Sequence, residues 1–142
     1  ENHRTGDGLR TAIFMLKVLL EQEQPSLAAL ASRIEKFPQL IASCNVAAKP
    51  DLKSLDAMQS KLEEVKHRLP GLVQLNSRYS GTEPKYRLML EADTRHTTRE
   101  LAAICWEVCD LIQKETSTPP GAKIEVLNVS EGGLMPRPEA DN

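Results

Sequence analysis

Gly71-Leu72-Val73-Gln74-Leu75-Asn76-Ser77-Arg78-Tyr79-Ser80-Gly81-Thr82-Glu83-Pro84-Lys85-Tyr86-Arg87-Leu88-Met89-Leu90-Glu91-Ala92 is the stretch on which the reading of this chain turns. Its composition predicts two strands, over 72–77 and 85–92, joined by a loop. In the second, Tyr86, Leu88, Leu90 and Ala92 fall on one side and Arg87, Met89 and Glu91 on the other, because strand side chains alternate. The loop between them, Arg78 to Pro84, carries a guanidinium, two hydroxyls and a glycine. Arginine offers a rigid fork of donors matched to phosphate oxygens. Successive backbone N–H groups at a glycine turn form an anion-binding concavity. The candidate phosphate ligands are therefore Arg78, the Ser80 and Thr82 hydroxyls, and the Gly81 and Thr82 amides. Glu83 has the wrong charge for a dianion and is read as orienting Arg78 or Arg87. Pro84 stiffens the loop exit, and Lys85 and Arg87 add positive potential. The bland alternative is an ordinary hairpin loop, which uses the same Ser, Gly, Thr and Pro for turn geometry. No Gly-Lys-Ser/Thr phosphate loop is present, so nucleotide hydrolysis gains no support.

Working outward, residues 39–47 read as a strand with imperfect alternation. Lys49-Pro50-Asp51 reads as a turn and helix start. Leu55, Met58, Leu62, Val65 and Leu69 then mark a helix over 52–69, which Pro70-Gly71 stops. After the hairpin, Thr97 and Glu100 have the spacing of a capping box. The helix they open turns Leu101, Ile104, Cys105, Val108, Leu111 and Ile112 inward. The order strand, helix, strand, loop, strand, helix is that of an α+β layer: a small, mainly antiparallel sheet with helices on one face. Upstream, Leu9, Ala12, Ile13, Leu16, Leu19 and Leu20 predict an amphipathic helix over 8–22, capped by Asp7. A shorter helix follows Ser26, with Leu27, Leu30, Ala31 and Ile34 on one face. This helix pair has no strand before it and reads as the end of a preceding domain. The expected division is therefore 1–36 for the helical remnant, 37–116 for the sheet domain and 117–142 for a linker, an added strand over 123–129 and a disordered tail from Glu131. Lys36-Phe37-Pro38 is the expected hinge.

The chain has 142 residues, enough for one domain with a sizeable core. Its net charge of −2, with acids and bases interspersed, argues against a nucleic-acid or membrane surface as main partner. The longest apolar run, Leu9 to Leu20, is interrupted by Arg10 and Lys17 and is too short to span a bilayer. No signal peptide is visible. Three cysteines, Cys44, Cys105 and Cys109, predict buried core thiols in a reducing cytoplasm rather than a disulfide framework or a metal site. His3, His67 and His96 are scattered and read as surface. Trp106 reads as packing at a helix edge. Asp7 and Arg10 read first as cap and surface, and only second as lining a ligand cleft.

Arg78-x-Ser80-Gly81-Thr82-Glu83-Pro84 between two strands, followed by Arg87, resembles the phosphate-binding loop of the α-D-phosphohexomutase superfamily. Upstream, Thr5-Gly6-Asp7-Gly8-Leu9-Arg10-Thr11-Ala12 resembles the segment opening the last helices of the third domain, in the form found in the bacterial phosphoglucosamine mutase branch. The likeness covers about residues 4–115. Tyr79, where relatives often carry Pro or Lys, and the segment after residue 115 depart from the pattern. The resemblance implies a TBP-like C-terminal domain, preceded by a remnant of the third domain of a four-domain enzyme. It implies an isomerase of carbohydrate metabolism in which a phosphoserine and a bisphosphate intermediate move phosphate between two sugar positions, with Mg2+ held outside this chain. The C-terminal domain would grip the non-reacting phosphate through Arg78, Ser80, Gly81 and Thr82, with Glu83, Lys85 and Arg87 in support. The nucleophile loop, the metal-binding aspartates and the sugar loop have no counterpart here, so the expected catalytic and metal residues of this chain are none, and the chain alone is expected to be inactive. The expected partners are a phosphorylated sugar and the missing N-terminal domains, without nucleic acid or membrane. The alternatives are a phosphomannomutase or phosphoglucomutase fragment, a stand-alone sugar-phosphate-binding module, and a structural domain that self-associates through residues 8–34.

Overall fold

A computed structural model describes residues 7–21 and 26–138. The chain divides into two compact units, Glu1–Glu35 and Lys36–Asn142. In the first, α1 (Gly8–Glu21) begins where the Asp7 carboxylate accepts the Arg10 N–H at 3.0 Å. It buries no residue, and Leu9, Ile13, Phe14, Leu16 and Leu20 stand exposed along it. Helix α2 (Leu27–Ala31) is capped by the Ser26 hydroxyl, which accepts the Ala29 N–H at 3.2 Å. The Thr5-Gly6 half of the upstream motif lies outside the described residues.

The second unit runs β1 (Gln39–Asn45), a 3-10 turn (Leu52–Ser54), α3 (Asp56–Arg68), β2 (Leu72–Tyr79), β3 (Lys85–Ala92), α4 (Thr98–Glu115) and β4 (Ile124–Asn128). The strands form one sheet in the order β2-β3-β1-β4, with every neighbouring pair antiparallel. This is the expected α+β architecture. Alternation in β1 and β3 is strict: Leu40, Ala42 and Cys44, and Tyr86, Leu88, Leu90 and Ala92, are buried beneath α4. From α4 come Leu101, Ile104, Cys105, Val108, Cys109 and Ile112; from α3 come Met58, Leu62 and Val65. Truncating a fully buried Leu such as Leu90 in such a core costs roughly 2–5 kcal/mol. The opposite sheet face, with Ile41, Arg78, Arg87 and Met89, has no helix over it among the described residues of this unit.

Strand β2 runs two residues beyond the expected 72–77, taking Arg78 and Tyr79 out of the loop and into the ladder opposite Arg87 and Tyr86. Three further local expectations differ from the structure. The helix expected over 52–69 is split at Leu55, whose backbone is not helical. Asp51 causes this: its side chain accepts the Lys53 N–H and its carbonyl accepts the Ser54 hydroxyl, closing a short 3-10 turn before α3 starts. Strand β1 stops at Asn45 because its next partner is Pro84, which accepts the Val46 N–H but has no N–H to return, and because the Ala47 amide turns away to the Thr118 hydroxyl. Beyond Glu131 the expected disorder gives way to a return along β4. Gly132 and Gly133, both at positive φ, turn the chain so that Asn128 N–H reaches Gly133 O and Met135 N–H reaches Val126 O. Arg137 then pairs with Asp110 at 2.7 and 2.9 Å and lies over the Trp106 ring at 4.7 Å. Residues 139–142 lie outside the described set.

Candidate functional site

The β2–β3 hairpin positions the loop. Its register pairs Arg78 with Arg87 and Tyr79 with Tyr86. Tyr79 and Tyr86 face the helices, their rings edge to face with centroids 6.0 Å apart. Period-two alternation then sends Arg78 and Arg87 to the open sheet face. The two rings anchor the hairpin to the core, so the loop is carried on a rigid base. Tyr86 Oη also exchanges a 2.8 Å hydrogen bond with Ser77 Oγ, whereas the buried Tyr79 Oη has no partner among the described residues. Burial raises both phenol pKa values.

Glu83 sits among the cations. One carboxylate oxygen accepts from Lys85 Nζ at 2.9 Å, the other from Arg87 at 2.8 Å. The Lys85 hydrogen bond, with Arg87 adding to it, holds the Glu83 carboxyl below its ordinary range. Of the two partners expected for Glu83, the structure gives Arg87. Arg78 is exposed, and its guanidinium has no acceptor among the described residues. Arg78 and Arg87 border a cleft of about 220 Å³ on the open face, with Asn76, Ile41 and Met89 along it.

The loop backbone is closed at its base by Ser80 N–H donating to Lys85 O at 2.8 Å. Ser80 is 5% exposed, and its Oγ accepts the Glu83 N–H at 3.3 Å. That bond leaves its hydroxyl proton to donate elsewhere. Gly81 and Thr82 are exposed, and among the described residues neither amide has a protein acceptor. Gly81 does not have positive φ, and a Cβ there would meet nothing within 4 Å. Nothing inside the chain therefore demands glycine at this position. Sequence reasoning missed Lys49, whose Nζ donates to Ser80 O at 2.6 Å from the β1–α3 connection. No local signal reveals it, since 31 residues separate the two groups.

Of the other candidates, the three cysteines meet in the core, where Cys44 Sγ donates to Cys109 O at 3.9 Å, and the histidines stand apart. Cys44, Cys105 and Cys109 are free and buried, and burial pushes the Cys105 thiol up to about 12. His96 shares a hydrogen bond with Pro70 O at 2.9 Å, while His67 is exposed and His3 lies outside the described residues. Among the described residues no three His, Cys, Asp or Glu side chains converge as a metal-ligand set. No described helix is long and apolar enough to cross a membrane.

A four-stranded antiparallel sheet, covered on one face by two helices and carrying a cation-flanked hairpin loop at its end, defines an open-faced α+β domain. The chain belongs to the phosphoglucomutase/phosphomannomutase family as its C-terminal domain: the model of that domain matches residues 15–107. The chain is 31% identical over 113 residues to the phosphoglucosamine mutase of Syntrophobacter fumaroxidans, covering 80% of this chain and 24% of that protein. It is 35% identical over 102 residues to that of Natranaerobius thermophilus, covering 72% and 23%. Against the Chlamydia muridarum phosphoglucosamine mutase it is 36% identical over 111 residues, covering 78% and 23%. The chain thus spans about a quarter of the length of the curated relatives it matches.

Proposed function

We propose that this domain grips the non-reacting phosphate of a phosphorylated hexose. The observation that carries the reading is a set of donors without acceptors among the described residues: the Arg78 guanidinium at the end of β2 and the Gly81 and Thr82 amides of the loop that follows it. A solvated dianion would accept from all three, with the Ser80 and Thr82 hydroxyls and the potential of Lys85 and Arg87 adding to the grip. Glu83 steadies the two supporting cations.

The family assignment supports a wider reading. The complete polypeptide would be a phosphohexomutase of the cytoplasm, and its relatives' names favour glucosamine 6-phosphate and glucosamine 1-phosphate as the sugar pair. The phosphoserine and the Mg2+ would belong to other domains of that polypeptide, which are this chain's expected partners. Mg2+ would neutralise charge during phosphoryl transfer. The present residues would contribute positioning: fixing the spectator phosphate places the reacting end of the sugar near its nucleophile. The chain by itself would bind without turnover. The expected division into a helical remnant over 1–36, a phosphate-binding domain over 37–116 and an appended segment over 117–142 belongs to the same reading.

The test is a titration of the 142-residue chain with inorganic phosphate and with glucosamine 6-phosphate, followed through backbone amide resonances. Saturable shifts centred on Gly81 and Thr82 are expected with both. Shifts absent from the loop at millimolar ligand would overturn the reading.

A further inference from the structure

The connection after β1 grips the loop at both ends. Val46 N–H donates to Pro84 O at 3.0 Å, and Lys49 Nζ donates to Ser80 O at 2.6 Å. The second bond has a directional consequence. No cis peptide occurs among the described residues, so the Ser80–Gly81 peptide is trans and planar. In a trans peptide the C=O and N–H vectors point in opposite directions. A Ser80 carbonyl turned to Lys49 therefore turns the Gly81 N–H away from Lys49, where it meets no acceptor among the described residues.

Glycine makes this orientation vulnerable. Flipping the peptide changes ψ of Ser80 and φ of Gly81, and a residue without Cβ resists that change least. A flipped peptide would present a carbonyl oxygen where an anion is to sit. The same glycine that leaves the amide accessible thus leaves the peptide plane in need of a lock. We propose that Lys49 is a positioning residue of the phosphate loop, its ammonium holding the Ser80–Gly81 peptide plane so that the Gly81 N–H stands ready for a phosphate oxygen. This rests on the phosphate reading of the loop.

Lysine 49 is exposed and substituting it empties no core site. Lys49→Met keeps the aliphatic stem and removes the donor; Lys49→Arg keeps a donor and a charge. Lys53→Met is the control, since it removes an equal, exposed charge from the same connection. Inorganic phosphate is titrated into each full-length variant, reading the dissociation constant and the Gly81 amide shift, with thermal melting as a check on folding. The expected result is about a tenfold loss of phosphate affinity for Lys49→Met, the value of one hydrogen bond to a charged group. A displaced Gly81 resonance before ligand is added should accompany it, with substantial rescue by Lys49→Arg. Lys53→Met should lose less than about twofold, as befits a screened charge. Equal losses for Lys49→Met and Lys53→Met would reduce Lys49 to bulk charge and overturn the proposal. So would an unchanged affinity in Lys49→Met. A wild-type chain that ignores phosphate would instead bring down the phosphate reading itself.

Discussion

Arg78→Ala separates binding from stability in a way the geometry makes quantitative. Arg78 is exposed, has no acceptor among the described residues and lies directly across the ladder from Arg87. Like charges opposite each other in a sheet cost roughly 0.2–1 kcal/mol, and the Glu83 carboxylate on Arg87 offsets part of this. Alanine's weaker strand preference costs a few tenths of a kcal/mol in the other direction. The two nearly cancel, so unfolding free energy should change by less than about 0.5 kcal/mol, or roughly 3 °C in Tm. Binding should behave otherwise. A hydrogen bond to a charged group is worth about 1.5–3 kcal/mol, which is roughly 10- to 150-fold in Kd for phosphate. Chemical denaturation supplies the first number and phosphate titration the second. In the complete enzyme the same change should raise KM and lower kcat/KM. A variant destabilised by more than about 1.5 kcal/mol that still binds phosphate with wild-type affinity would refute the reasoning, because Arg78 would then be a structural residue.

Gly81→Ala should leave stability unchanged or raise it by about 0.4–1 kcal/mol, since neither φ nor a neighbour opposes the methyl. Phosphate titration should nonetheless show weaker binding, because the methyl crowds an anion's approach to the loop amides; retained affinity would show that the bound anion does not need the open space beside the Gly81 Cα. Tyr79→Phe removes a buried hydroxyl that has no partner among the described residues; denaturation should find it neutral or more stable by up to about 1 kcal/mol, and a loss beyond about 1 kcal/mol would reveal a further partner. Glu83 should titrate below the ordinary glutamate value of about 4.3, because Lys85 and Arg87 favour its charged form. For a depressed carboxyl, the stabilisation is full above the unfolded pKa and is lost as pH falls through the folded one. The clamp on Lys85 and Arg87 should therefore persist at pH 5 and release in more acid solution, as followed by the Glu83 carboxyl carbon resonance; a midpoint at or above 4.3 would contradict the ion pairs.

Much of this domain is legible along the chain because the governing interactions are local or periodic. Tyr86, Leu88, Leu90 and Ala92 announce their buried face through period-two alternation, and β3 runs over the expected 85–92. The Thr97–Glu100 capping box forms as its spacing requires, with Glu100 N–H on Thr97 Oγ1 at 3.2 Å and Thr97 N–H on Glu100 at 2.7 Å. The residue types at the loop tip are equally plain from sequence. Their arrangement is not: Glu83 has three cations within reach in the sequence, and only the fold shows it holding Lys85 and Arg87 while Arg78 has no carboxylate partner among the described residues. Glycines 132 and 133 read as flexibility in a one-dimensional string, yet beside β4 their positive φ lets the chain turn back and satisfy the strand's outer edge.

Propensity, periodicity and capping act over a few residues, so the order of elements, most of their buried faces and the chemistry available at the hairpin can be read along the chain, while several element ends cannot. Tertiary structure alone decided which donors remain unsatisfied. That outcome depends on bonds across the fold, such as Lys49 Nζ to Ser80 O, whose partners are distant in the chain and meet only when the sheet has formed. A side chain's charge is written in its residue type, but whether that charge is already spent on a neighbour is a property of three-dimensional proximity.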